Sequence, residues 1–411
     1  MRKIQGGVIT TVLLVSLLIV LNSVSAADCH VYSGQSIQTA INNASSGDTI
    51  YVHAGTYNEN LLINSKNLSL IGDGASMTTI DGGGSLVVDV RSGATVNISG
   101  FTITNGGTGV RYRDDSSGII TNNTITGNGY GIYNDSSSPT ITNNTITGNT
   151  LHGIVNFLSS NPTITNNTIT GNQFGIVNFL SSNPTITNNT ITGNTSDGIC
   201  NDSSSPTITN NTITGNTWYG IRNVSSSPTI TNNIVFSNGV FGIYDYGTGS
   251  PLCTYNNFWG NGTDYVNVTP GIGSISQDPQ LDGTYHLTSS SPCIDAGTDA
   301  GVYTDMDGDS RPQGSGFDIG ADEYVPQVIN PIAAFLPVKN YHLAQVNAYF
   351  GCIEENLPGG VPEDIQDLLD EMQEHIDNAN TTGNTIYANN ELLKALDACD
   401  EIARLLGITC S

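Results

Sequence analysis

One short run concentrates charge that could act on a substrate. In Arg111-Tyr112-Arg113-Asp114-Asp115 an Arg could neutralise a uronate while an Asp serves as base, the two services that acid–base chemistry on an acidic sugar needs. The bland alternative is a surface turn of self-paired charges. A second set is aromatic. Just before each Gly-Ile step stand Tyr130, His152, Phe174, Asp197, Tyr219 and Phe241, with Trp218, Tyr133, Tyr244, Phe157, Phe179 and Tyr246 close by. Rings held on a rigid surface can stack against sugar rings, and the column Asn134, Asn156, Asn178, Asn201, Asn223 and Asp245 is expected to offer hydrogen bonds beside them. Alternatively, the rings cover a corner or pack under the loops 156–161 and 178–183. A third set, Asp305-Met306-Asp307-Gly308-Asp309, alternates carboxylates around a Gly turn like the start of a calcium loop. Asp305, Asp307 and Asp309 would be ligands, and because Gly316 stands where a bidentate Glu is expected, Asp318, Asp322 or Glu323 would have to join them. Failing calcium, this is an acidic turn held by Arg311. No other cofactor is expected: copper favours His and Met, and the six His and four Met are scattered.

What must position these residues is a repeat. Pro-Thr-Ile-Thr-Asn-Asn-Thr-Ile-Thr-Gly-Asn starts at Pro139, Pro162, Pro184 and Pro206 and returns degenerately at Pro228, intervals of 22 or 23 residues. A unit this short cannot be a domain, but it matches one turn of a solenoid. Three columns of β-branched residues then form the core: Ile141, Ile164, Ile186, Ile208 and Ile230; Ile146, Ile169, Ile191, Ile213 and Val235; Ile132, Ile154, Ile176, Ile199, Ile221 and Ile243. Strands of successive coils lie about 4.8 Å apart, so like residues stack. Thr187 is expected to face outward. The columns Asn123, Asn144, Asn167, Asn189, Asn211, Asn233 and Asn128, Asn149, Asn172, Asn194, Asn216, Asn238 fall at two corners, where amides can satisfy each other and the bent backbone.

Arg2 and Lys3, the apolar run Val12 to Leu21 and the small residues Val24-Ser25-Ala26 read as a secretory signal peptide over 1–26. No later segment is apolar enough to span a membrane. The formal charge of −25, from 11 basic and 36 acidic residues, excludes nucleic acid as a natural partner. In an oxidising compartment some of the seven cysteines are expected to pair, with Cys253–Cys293 and Cys352 with Cys399 or Cys410 as the bridges. Sequons such as Asn134-Asp-Ser and Asn261-Gly-Thr permit glycans.

Upstream of the repeats, Ser36 to Ala44 has helical spacing and would cover the open end of the first coil. The wording Gly47-Asp-Thr-Ile-Tyr-Val, Gly55-Thr-Tyr and Leu70-Ile-Gly-Asp-Gly, with the Asn-Asn-Thr-Ile-Thr-Gly-Asn units, resembles the pectin-lyase-like right-handed β-helix superfamily over about Gln35 to Asn267. That resemblance implies a mainly β chain, a right-handed parallel β-helix. It leaves activity open, since the superfamily holds lyases, hydrolases and surface proteins without enzymatic function. The paired-Asp and Gly-His-Gly motifs of polygalacturonases are absent. Asp278-Pro-Gln-Leu, Ser291-Pro-Cys-Ile-Asp-Ala-Gly and Asp318-Ile-Gly-Ala-Asp-Glu-Tyr resemble the choice-of-anchor closing module of bacterial and archaeal surface proteins.

The expected organisation is therefore a signal peptide (1–26), a capped β-helix (27–270), a closing module (271–325), a linker (326–340) and a small three-helix bundle (341–411). Such a protein would be secreted or held at the cell surface, binding extracellular glycans or surface-layer proteins in a binding or structural role. A polysaccharide lyase or glycoside hydrolase is the alternative.

Overall fold

The computed structural model describes residues 27–326, 346, 367, 369–370, 373–378 and 385–406; the signal segment and most of the region after 326 lie outside these. Two compact units result, Met1–Val325 and Pro326–Ser411. The first is a parallel solenoid whose strands form three sheets of 11, 10 and 10 strands. Each coil adds one strand to every sheet, and pairing is in register: Ile186 lies between Ile164 and Ile208, Ile191 between Ile169 and Ile213, and Ile199 between Ile176 and Ile221. All of these Ile are fully buried. α1 (Ile37–Asn43) is started by Ser36, whose hydroxyl accepts from the Thr39 amide. It buries Ile37, Ala40 and Ile41, and the Glu59 carboxylate takes the Ile37 and Gln38 amides that the helix cannot use.

The three corners use one recipe: a residue of positive φ followed by a side chain that hydrogen-bonds along the axis. At the first, Asn122, Asn143, Asn166, Asn188, Asn210 and Asn232 have φ between 53° and 56°, a region Asn tolerates better than most residues. The following Asn forms a ladder. Asn189 Oδ1 accepts from the Asn167 amide and Nδ2, both at 3.0 Å, and its Nδ2 donates to Ile164 O, Thr187 O and Asn211 Oδ1 at 2.8 to 3.0 Å. Asn144, Asn167, Asn211 and Asn233 repeat the pattern. At the second corner Gly193 supplies the positive φ and Asn194 the ladder. The third uses Ser203 and then Ser204, whose hydroxyl accepts from the Ser182 amide at 3.2 Å.

After the last coil the chain folds back along the first corner. Asn188 Nδ2 donates to Thr304 O, Asn210 Nδ2 to Asp318 O and Gly320 O, and Asn232 Nδ2 to Thr298 O. A small apolar cluster of Ile234, Leu287, Cys293 and Ile319 sits beneath. Ile234 and Phe236 stand here where earlier coils carry Thr, which gives the returning segment an apolar seat. Thr187 therefore points out of the solenoid as expected but is buried, because the returning segment covers this corner. The expected Cys253–Cys293 bridge does not form. Cys253 points into the solenoid core and Cys293 into the outer cluster, on opposite sides of the coil wall, and both are free buried thiols.

In the second unit α2 (Thr385–Leu406) buries Leu392, Ala395, Ala398, Cys399 and Ile402. Residues 373–378 are also helical, and His375 Nδ1 lies 2.8 Å from Glu391 Oε2. The first part of the expected three-helix bundle, with Cys352, lies outside the described residues, apart from helical Val346. No helix among the described residues is long and apolar enough to cross a membrane.

Candidate functional site

The outer side of the third sheet gathers most of the chemistry-bearing residues. In strands such as Tyr219–Val224, the Ile and the Asn two places on point inward, and the residue between them points out. A Cβ at the Gly of this step would collide: at Gly175 it would lie 2.5 Å from the Gly198 carbonyl oxygen. Only Gly lets successive coils approach there, and it turns the residue before it onto the outer face.

The outward residues form two aromatic runs. Tyr130 and His152 have ring centroids 5.4 Å apart and His152 and Phe174 4.9 Å, both edge to face. Further along, Tyr219 and Phe241 stack at 5.3 Å with 10° between planes, and Trp218 and Tyr244 adjoin them at 6.2 and 5.4 Å. Trp218 is 53% exposed. Burial lowers the His152 pKa, and its Nδ1 has no hydrogen-bond partner.

Asp197 occupies the gap between the runs. Its carboxylate is fully buried beneath Arg222, whose Nε donates to it at 2.6 Å and whose guanidinium carbon lies 5.9 Å from the Phe174 ring centre. Burial raises the Asp197 pKa and Arg222 opposes the rise. Cys200 alongside is 3% exposed, and desolvation pushes its thiol up to about 12. Arg222 is the residue that motif reading missed. The signal was present: it is the only cationic residue between Pro139 and Asn238, and it follows the column's only carboxylate by one coil.

The column Asn134, Asn156, Asn178, Asn201 and Asn223 does not lie beside the rings. It faces the interior, fully buried, with each Nδ2 from Asn134 to Asn201 donating to the next Oδ1 at 2.8 Å. A ligand on the outer face cannot reach it. Asp245 ends the column, 5% exposed and with Oδ1 unpartnered, and burial raises its pKa.

The Arg111–Asp115 cluster is divided. Arg111 Nη2 meets Asp135 Oδ2 at 2.7 Å, and Arg113 holds Asp89 through Nε and Nη2 at 3.0 and 2.8 Å. Tyr112 turns into the core, while Asp114 and Asp115 sit at the third corner with φ of 58° and 59°.

The acidic turn also sorts differently. Asp305 is buried and its carboxylate closes the turn, taking the amides of Asp307, Asp309 and Glu323. Asp309 is exposed. Arg311 pairs with Glu323 at 3.0 Å, both side chains fully buried, instead of holding the turn. Asp307 reaches His286 Nε2 at 2.7 Å, and ligand atoms of His286, Asp307 and Asp322 all lie within 4.8 Å of one another. Desolvation pushes Asp322 up to about 6. For His286 burial lowers the pKa, but Asp307, Asp322 and Asp282 outweigh it and the net shift is upward.

The family model described as right handed beta helix region matches residues 22–180 and 134–261, more than half of the chain. The chain belongs to the right-handed β-helix family. No curated protein matches this right-handed β-helix. Among solved structures it is similar to an alginate lyase from Paenibacillus sp., at 18% identity over 60% of this chain and 98% of that one, with a TM-score of 0.47. It is similar also to a pectate lyase, at 17% identity over 73% of this chain and 97% of that one, TM-score 0.44. A mannuronan C-5 epimerase A-module of Azotobacter vinelandii is 19% identical over 59% and 95% of the two chains, TM-score 0.38.

Proposed function

We propose that this right-handed β-helix is a secreted or surface-held protein that binds an extracellular glycan along the outer face of its third sheet. One observation carries the reading: two aromatic runs, Tyr130 to Phe174 and Trp218 to Phe241, flank an Arg222–Asp197 pair on a single rigid face. Rings set one coil apart suit successive sugar units of an extended chain lying parallel to the solenoid axis. Arg222, 29% exposed, supplies the charged contact, and Asp197 below it acts as a positioning residue. The polar groups offered to a ligand are those of Tyr133, Asp135, Arg222 and Tyr244 rather than the interior Asn column. Attachment through the closing segment or the helical unit to glycans or surface-layer proteins belongs to the same reading.

A polysaccharide lyase or glycoside hydrolase is the second reading, favoured by the upward-shifted Asp197 on that face. Its burial beneath Arg222 argues against direct contact with a substrate, which is why binding ranks first. Purified protein passed over neutral and acidic polysaccharides, scored for retention and for new reducing or unsaturated ends, tests both. Binding predicts retention without cleavage, lost in Trp218→Ala and Tyr219→Ala but kept in Tyr303→Ala, whose ring is exposed on the closing segment. New ends would establish the enzyme, and retention indifferent to Trp218 and Tyr219 would remove the site.

A further inference from the structure

His286, Asp307 and Asp322 come from three separate parts of the closing segment, yet their ligand atoms converge within 4.8 Å. The imidazole is oriented by a second layer. Thr284 Oγ1 donates its one proton to Asp282 Oδ1 at 2.8 Å, so at His286 Nδ1, also 2.8 Å away, that oxygen must accept. Nδ1 therefore carries a hydrogen and Nε2 is the atom presented to Asp307. This is the arrangement that fixes a ligating histidine in metal sites, with the far ring nitrogen tied to an oxygen.

Asp322 provides an independent observation. Its side chain is buried, at 6% exposure. One oxygen accepts the Leu287 amide at 2.6 Å, and no hydrogen bond among the described residues reaches the other. A carboxylate is withdrawn from water at a cost unless a cation compensates it. Arg311, the nearby buried cation, is already committed to Glu323 and to the carbonyls of Gly320 and Ala321, so without an ion the only cation left among the described residues to face Asp322 here is the His286 ring, which Asp307 already engages at 2.7 Å.

From this geometry we infer that His286 Nε2 and the carboxylates of Asp307 and Asp322 form a three-ligand site for a divalent transition-metal ion of the zinc type. One nitrogen and two carboxylates suit such an ion with a coordination position left for water. Calcium takes six to eight oxygens and would leave the imidazole unused. The ion would clamp the segment around Leu281 to Leu287, the 305–309 turn and the chain at Asp322, and so stiffen the returning segment. Thr190, Tyr285 and Met306 line the cleft onto which Asp307 opens.

The test uses the full chain, stripped with a chelator and titrated with zinc chloride, calcium chloride and, as a spectroscopic probe, cobalt(II) chloride. The expected result is one zinc per chain, a higher melting temperature with zinc, and a cobalt d–d spectrum that zinc displaces. His286→Gln and Asp322→Asn should each abolish stoichiometric binding. Thr284→Val, which keeps all three ligands, should weaken it about tenfold and guards against a folding defect in the ligand variants. No bound zinc, or one zinc retained in both ligand variants, overturns the site. So does loss of zinc in His53→Gln instead, which would assign the ion to the His30–His53 pair, whose ring nitrogens lie 3.0 Å apart on the first coils. Calcium displacing zinc stoichiometrically would overturn the ion class.

Discussion

Asn189→Asp changes almost no volume and tests what holds the solenoid's corner together. The Asn189 Nδ2 has two hydrogens shared among Ile164 O, Thr187 O and Asn211 Oδ1, all buried and all acceptors. A carboxylate there places an acceptor against three acceptors, while still receiving the Asn167 amide and Nδ2. Two lost net hydrogen bonds cost about 2 kcal/mol, and the acceptors left unsatisfied, together with the buried charge, bring the total to roughly 3 to 5 kcal/mol. The exposed Asn161→Asp should cost less than about 0.5 kcal/mol. Urea unfolding followed by circular dichroism measures both. The folded state raises the pKa of the new carboxyl above its unfolded value, near 3.9. The deficit should therefore be full at neutral pH and shrink as pH falls towards about 4, where the acid regains one donor. Equal losses at positions 161 and 189, or a deficit that grows on acidification, would refute the view that the ladder works through its donors.

Ile186→Ala, in the middle of a sealed column, should cost roughly 2 to 5 kcal/mol, whereas Thr163→Ala on the outer side should cost little in the same unfolding assay. Burial lifts Asp318 to about 7 and raises Asp245 and Asp197, so the folded state holds more protons than the unfolded chain between about pH 4 and 7. These groups make stability fall as pH rises through that window and level off above it, which a series of melting curves would show; a rise across the window would contradict the assignment. Cys253 and Cys293, desolvated and pushed up to about 12 and 11, should resist thiol reagents until denaturant is added, and dithiothreitol should leave the melting temperature of the solenoid unchanged. Ending the chain after Pro337 should leave the unfolding transition of the β-helix, and any retention on polysaccharide that the full chain shows, intact; loss of either would mean the helical unit is needed for that fold.

The Ile columns and the two corner Asn columns could be read from the text because stacking converts a 22-residue period into identical neighbours, so each inference was checked by its own repetition. The Asn134 column was misread as a surface feature. Its position relative to the rings depends on the Gly step, where the residue before Gly175 and its counterparts turns outward although simple alternation from the buried Ile would send it in. The burial of Thr187 was missed for another reason: nothing within a repeat reveals that a segment more than a hundred residues later lies across it. The substitution of Ile234 and Phe236 for Thr was the available hint. Asp197 stood out in the aromatic column, but the meeting of His286, Asp307 and Asp322 depends on how an irregular segment folds, which no period announces.

Asn122 and Asn143 have the same backbone conformation as Asn188, Asn210 and Asn232, but remain exposed because the returning segment ends its run before reaching them. The corner is thus a track longer than its passenger. A duplicated 22-residue unit inserted upstream of Asn166 would lengthen the aromatic face by one step and leave the contacts of the tail unchanged, whereas an insertion between Asn166 and Asn232 would put the tail out of register with its track. The loop 156–161, nearly identical to 178–183, lies in the permissive stretch. In this architecture the length of the outer aromatic face can evolve by copying while the end of the molecule stays the same.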